Sequence, residues 1–265
     1  MDPRRNPFAP GAGTPPPELA GRDALLERNA IALDRIRAGR AARPSILYGL
    51  RGVGKTVLLT AMRDAAEGEG MTIVAIEAPE NRSLPGILVP ALRAALLRLD
   101  RMKQATAGVS RALKALAGFA KLKVKYDDLE VALDFEPEPG LADSGDLDAD
   151  LADLIVAVGE AAQERQSAVV LVIDELQYVP EEQLAALISA LHRRAEVLVR
   201  DHAGGRLATT AGSDGPCQVV SRAVVRVVTI GPLHAAAAQD AIRIPIEREE
   251  ERSRTLPPRQ SSHKC

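Results

Sequence analysis

The chain has 265 residues, 46% hydrophobic and 26% charged, ordinary for a globular protein of one domain or a domain and a half. Lys+Arg 34 against Asp+Glu 36 leaves a formal charge of −2, which excludes the global basic field that gathers nucleic acid or anionic membrane. Three Phe, three Tyr and no Trp predict an aliphatic core, and Cys217 with Cys265 excludes both a disulfide scaffold and a four-cysteine zinc site. No apolar run approaches the ~20 residues of a membrane span. The N-terminal stretch carries no signal-peptide core, so the expected compartment is cytoplasmic and no membrane partner is expected.

Residues 1–18 are rich in Pro and Gly and read as a disordered lead-in. A core is expected over 19–198. It opens with an amphipathic helix from Gly21 to Gly39, carrying Leu25, Leu26, Ile31, Leu33 and Ile36. The run SILYG after Pro44 reads as a buried strand, followed by a helix from Lys55 to about Glu67 and a strand at 71–78. Ser83 can cap a helix over 84–103. Further on come a helix over 147–165, a strand over 168–174 and a helix over 180–194 that starts with Pro and acids and ends in bases. Continuous apolar strands alternating with helices predict a parallel sheet covered on both faces.

The alternation breaks over 98–146, expected as an insertion. Arg98, Arg101, Lys103, Arg111, Lys114, Lys121, Lys123 and Lys125 are followed by a stretch, 127–153, whose charges are all acidic. KLKVKY and LEVALDFE alternate like a hairpin. Two readings stand: a basic helix and an acidic hairpin that offset each other, or a docking surface for a partner or a nucleic-acid backbone.

Between the first strand and the second helix lies GLRGVGKT: Gly49, Leu50, Arg51, Gly52, Val53, Gly54, Lys55 and Thr56. The spacing G-x-x-x-x-G-K-[ST] suits phosphate. Glycines let backbone N–H groups curl around the anion, the helix N-terminus adds its positive end, Lys55 reaches phosphate oxygens and the Thr56 hydroxyl can ligate Mg²⁺. VVLVIDE then delivers Asp174 at the end of a strand, where a carboxylate can hold Mg²⁺, and Glu175 beside it can orient or deprotonate a water. An adjacent Asp-Glu favours hydrolysis over transfer to a small hydroxyl. The expected fold class is therefore α/β: a P-loop NTPase three-layer sandwich, a parallel sheet flanked by helices, with the basic-helix/acidic-hairpin insertion.

With AGRD at 20–23, LYGLRGVGKT and VIDELQYV at 172–179, the chain resembles the AAA+/STAND group of P-loop ATPases, in particular bacterial and archaeal origin-recognition-like ATPases. The resemblance covers about 20–195 and resumes over 230–249. It implies ATP and Mg²⁺ as cofactors, Gly21 and Arg22 near the adenine, and Gln177 following the catalytic acid.

The family pattern breaks after about residue 198. Where relatives carry an apolar strand with the γ-phosphate sensor, residues 199–228 read as neither strand nor helix, and no aromatic occurs after Tyr178. Two explanations are open: a divergent loop, or a displaced reading frame, since codons permitted for 200–227 can spell the family's strand and helix one nucleotide out of register. The gene's nucleotide sequence decides between them. Residues 229–249 read as a remnant helix and 250–265 as a disordered tail where relatives continue into a helical lid, so the C-terminal third is expected to be irregular and the domain incomplete. The implied function is an ATP-binding module that couples ATP·Mg²⁺ binding to a conformational or partner switch, with turnover weak or absent. A protein partner or self-association is expected, while nucleic acid is possible without being indicated. The alternatives are a DNA-associated initiator or adaptor, and a fragment with no function of its own.

Overall fold

The three most apolar runs form β1 (Ser45–Tyr48), β2 (Thr72–Glu77) and β3 (Val169–Asp174). All six residues of β3 except Asp174 are buried, as a strand covered on both faces requires. The computed structural model describes residues 6–8, 16–40, 42–101, 107–123, 136–201, 205–211 and 225–255. By its internal contacts the chain divides into two units, residues 26–231 and a smaller one made of 1–25 with 232–265.

In the larger unit two further strands, β4 (Gly205–Ala211) and β5 (Arg226–Thr229), complete an all-parallel sheet of order β2-β3-β4-β1-β5. This corrects the expectation of an irregular stretch over 199–228. β4 pairs with β3 from Val169↔Gly205 and with β1 from Ser45↔Ala208, so it fills the centre of the sheet. The physical reason is that a parallel ladder is made of main-chain groups. Two flanking strands present rows of N–H and C=O to whatever segment lies between them, and strand preference yields to that setting. Gly205 falls at the first position of β4, where a glycine weakens the ladder least.

The helices up to Asp201 are α1 (Asp23–Arg37), which begins in the smaller unit, α2 (Lys55–Gly68), α3 (Leu84–Arg101), α4 (Ala107–Lys123), α5 (Leu147–Glu164) and α6 (Glu181–Asp201). α2 meets β2, β3 and β4, α3 meets β2, and α5 meets β3. α6 continues past its expected end near 194 to Asp201. α5 starts at the Asp146 cap, whose carboxylate accepts from Ala149 N at 2.7 Å.

α4 was expected as part of a basic insertion, yet it belongs to the core. Ala112, Leu113, Ala115, Leu116, Phe119 and Ala120 are buried at helical spacing, and the helix packs between α3 and α5. Its bases lie on the other side: Arg111 pairs with Glu160 at 3.3 Å and Lys114 with Glu138 at 3.4 Å. Such exposed pairs contribute about 0–1 kcal/mol each, so they neutralise charge more than they hold the helix. Lys121 and Lys123, expected in a strand, close α4; the rest of the expected hairpin, 124–135, lies outside the described residues. Among the described residues Phe119 is the one aromatic in a core otherwise built of Leu, Ile, Val, Met and Ala.

In the smaller unit α7 (Ala235–Thr255) runs into the stretch expected as a disordered tail. Arg243 meets Asp240 at 2.8 Å and Glu247 at 2.9 Å, the i,i+3 and i,i+4 pairs that support an exposed helix. Gly21 packs on this helix: a Cβ there would stand 2.7 Å from the Ala237 Cβ. Glu18 pairs with Arg248 at 2.7 Å.

Candidate phosphate-binding site

The connection from β1 to α2 carries residues 49–54, and its glycines serve two different purposes. Gly52 and Gly54 adopt φ of 84° and 89° with open space where a Cβ would be, so backbone conformation alone demands glycine there. Gly49 is required by proximity: a Cβ would fall 2.2 Å from the Ile230 carbonyl oxygen. Ile230 in turn donates its N–H to Tyr48 O at 2.6 Å, which ties the end of β1, just before the loop, to the residue after β5. Gly54 N-caps α2 and accepts from Leu58 N at 3.0 Å.

Lys55 and Thr56 occupy the first turn of α2. The Lys55 ammonium donates to Gly49 O and Leu50 O, each at 2.8 Å, so it is folded onto the loop's own carbonyls. Leu50 and Arg51 stand exposed at the tip of the loop. Positive charge, a helix N-terminus and a glycine-bent backbone thus lie together in this connection, the combination that suits an anion.

At the same edge of the sheet, the carboxyl end of β3 presents Asp174 and then Glu175. Glu175 takes the left-handed conformation at φ 53°, and its N–H donates to Asp174 Oδ1 at 2.9 Å. A 3-10 turn, Leu176–Tyr178, follows, anchored by the buried Leu176 and Val179. The Gln177 carboxamide donates to Glu175 Oε2. Tyr178 is partly exposed, and its phenol titrates above the ordinary tyrosine value. A hydrogen bond to the Glu80 carboxylate is the main cause, with the charge of Glu80 next; desolvation and Glu175 add to it, while a hydrogen bond from Gln177 opposes it.

Thr56 and Asp174 offer oxygen donors, the kind Mg²⁺ takes. Among the described residues no group of three or more His, Cys, Asp or Glu could hold a metal by itself. That donor set suits Mg²⁺, which is commonly held by one or two protein oxygens together with substrate phosphates.

Gly21 and Arg22 belong to the smaller unit, where Gly21 lies against α7. Sequence reasoning missed Glu80, Tyr178 and Ile230. The position of Glu80, just beyond the carboxyl end of a parallel strand, was the available signal, since ligand crevices form there.

A glycine-rich phosphate loop after the first strand, with an acid pair ending a parallel strand two places away, defines a P-loop nucleotide-binding α/β protein. A family model described as "AAA ATPase domain" matches residues 18–202, and the chain belongs to that family. It is an ATP-binding AAA+ module. Among solved structures it is similar to Cdc6p from Pyrobaculum aerophilum, at 16% identity and a TM-score of 0.53, covering 90% of this chain and 52% of that one. It is also similar to the ORC2 protein of Aeropyrum pernix, at 14% identity and a TM-score of 0.49, covering 90% of this chain and 54% of that one. The chain spans about half the length of both. The first likeness is one of fold. No curated protein matches the chain in sequence. Among the described residues, no helix is long and apolar enough to cross a membrane.

Proposed function

We propose that the chain binds ATP·Mg²⁺ in the 49–56 loop and hydrolyses it slowly, using the exchange of ligands at Lys55 to switch a surface that a protein partner or a second copy reads. The observation that carries this reading is the Lys55 ammonium held by Gly49 O and Leu50 O. A β- or γ-phosphate offers stronger, charged acceptors than two carbonyls, so ATP draws the ammonium off and the loop amides close on the phosphates. Thr56 and Asp174 would hold Mg²⁺ on the protein side, and the ion would supply neutralisation of phosphate charge.

Glu175 accepts a hydrogen bond from a water and orients it toward the γ-phosphorus. The water oxygen bonds to phosphorus as the bond to the bridging oxygen breaks. ADP leaves with that electron pair, and the water's proton passes through Glu175 to the departing phosphate. Residues 199–228 depart from the family's wording where relatives sense the γ-phosphate, which supports slow turnover.

Titration with a fluorescent ATP analogue and Mg²⁺ tests the reading. Lys55→Ala is expected to weaken binding by about 100-fold, the loss of one desolvated charge-assisted contact. Equal binding by wild type and Lys55→Ala sinks it. Steady-state turnover near the typical ~10 s⁻¹, abolished by Glu175→Gln, would overturn slow hydrolysis while sparing ATP binding.

A further inference from the structure

Glu175 is gripped through its main chain and its side chain together. Its N–H is spent on Asp174 Oδ1 at 2.9 Å, its carbonyl accepts from Tyr178 N at 3.0 Å, and its Oε2 accepts from the Gln177 carboxamide. The main-chain contacts set where the residue sits. The Gln177 contact acts on the last torsion of the side chain, which is broad and poorly fixed in a glutamate left to itself. Engaging Oε2 therefore decides where Oε1 is aimed. Gln177 is itself steadied: its amide also meets the Tyr178 phenol, and that phenol donates to Glu80 beyond the end of β2. The chain Glu80–Tyr178–Gln177–Glu175 thus links the loop after β2 to the carboxylate after β3. Leu84 N donates to Gln183 Oε1 at 2.6 Å, a second tie between the β2–α3 connection and the start of α6.

We propose that Gln177 is a positioning residue for ATP hydrolysis, its carboxamide docking on Tyr178 and fixing the orientation of the Glu175 carboxylate toward the attacking water. This rests on the hydrolytic reading of the site. Gln177 lies in the turn after β3, apart in sequence from the 49–56 loop, so its loss is expected to spare ATP binding and to slow the chemical step. A misaimed water costs about 10- to 100-fold in rate.

Single-turnover hydrolysis by excess full-length protein, beside analogue titration, tests the proposal. Gln177→Ala and the volume-keeping Gln177→Met are expected to leave the analogue Kd within about twofold and to slow hydrolysis about 10- to 100-fold. Tyr178→Phe keeps the ring and is expected to slow it less, in the same direction. In a Glu175→Gln background Gln177→Met is expected to cost nothing further, because the two side chains act as one unit. An unchanged or faster rate, a loss that adds in full to that of Glu175→Gln, or a parallel loss of analogue binding in Gln177→Met overturns the assignment. Wild type that binds the analogue without any single turnover also overturns it and leaves ATP binding standing. Failure of wild type to bind the analogue sinks the parent reading instead.

Discussion

Tyr178 carries a clear electrostatic mark of its surroundings. The Glu80 carboxylate accepts its proton and repels a phenolate, so the phenol titrates above its usual value near 10. The sign follows directly: folding favours the protonated phenol, so the Glu80–Tyr178 contact contributes fully below about pH 10 and is lost as pH rises through the raised folded value. Phenolate absorbance during alkaline titration, with Tyr178→Phe for assignment, should show Tyr178 titrating late, and Glu80→Gln should bring it back toward the ordinary value. An unchanged titration in Glu80→Gln would assign the shift elsewhere. Tyr178 is 38% exposed, so solvent screens the contact and it serves position more than stability. At this scale the sequence was partly legible. The spacing of Gly52, Gly54, Lys55, Asp174 and Glu175 singled them out, and the structure sets them at the carboxyl ends of parallel β1 and β3. Glu80 and Ile230 were not singled out, since each matters only through a neighbour distant along the chain.

α4 shows how charge misleads at the scale of an element. Its lysines and arginines suggest a surface, but its Ala, Leu and Phe positions repeat with the helix and fill the space between α3 and α5. Phe119→Ala removes the one aromatic of the described core and is expected to cost about 3–5 kcal/mol, read as a lower denaturant midpoint at unchanged slope. A cost below ~1 kcal/mol would mean that α4 packs loosely. β1, β2, β3 and most helices were legible because buried parallel strands are continuously apolar and helices are periodic. β4 was not, since Gly205, Arg206, Thr209 and Thr210 have no apolar pattern and the strand is defined by the main chains beside it.

On the scale of the whole molecule, the sheet order separates the two motifs by one strand. β4 stands between β1, which leads into the phosphate loop, and β3, which ends in Asp174. Two interstrand spacings make that span about 9–10 Å. A chain ending after Asp201 keeps β1, β2, β3 and both motifs but loses β4 and β5. It is expected to bind no ATP analogue and to be cut readily by protease within residues 45–56. Binding as tight as that of the full chain would show the loop to be self-sufficient.

The strand partners of β1 also set an order in time. During synthesis β2 and β3 can zip together as soon as residue 174 is clear, but Ser45 must wait for Ala208 and then Arg226. Such distant pairings are slow and leave a strand edge unpaired in the interval. The 49–56 loop, written near the start of the chain, is thus among the last parts to mature, and on the proposed function ATP affinity becomes a readout of whether translation has run through β4 and β5.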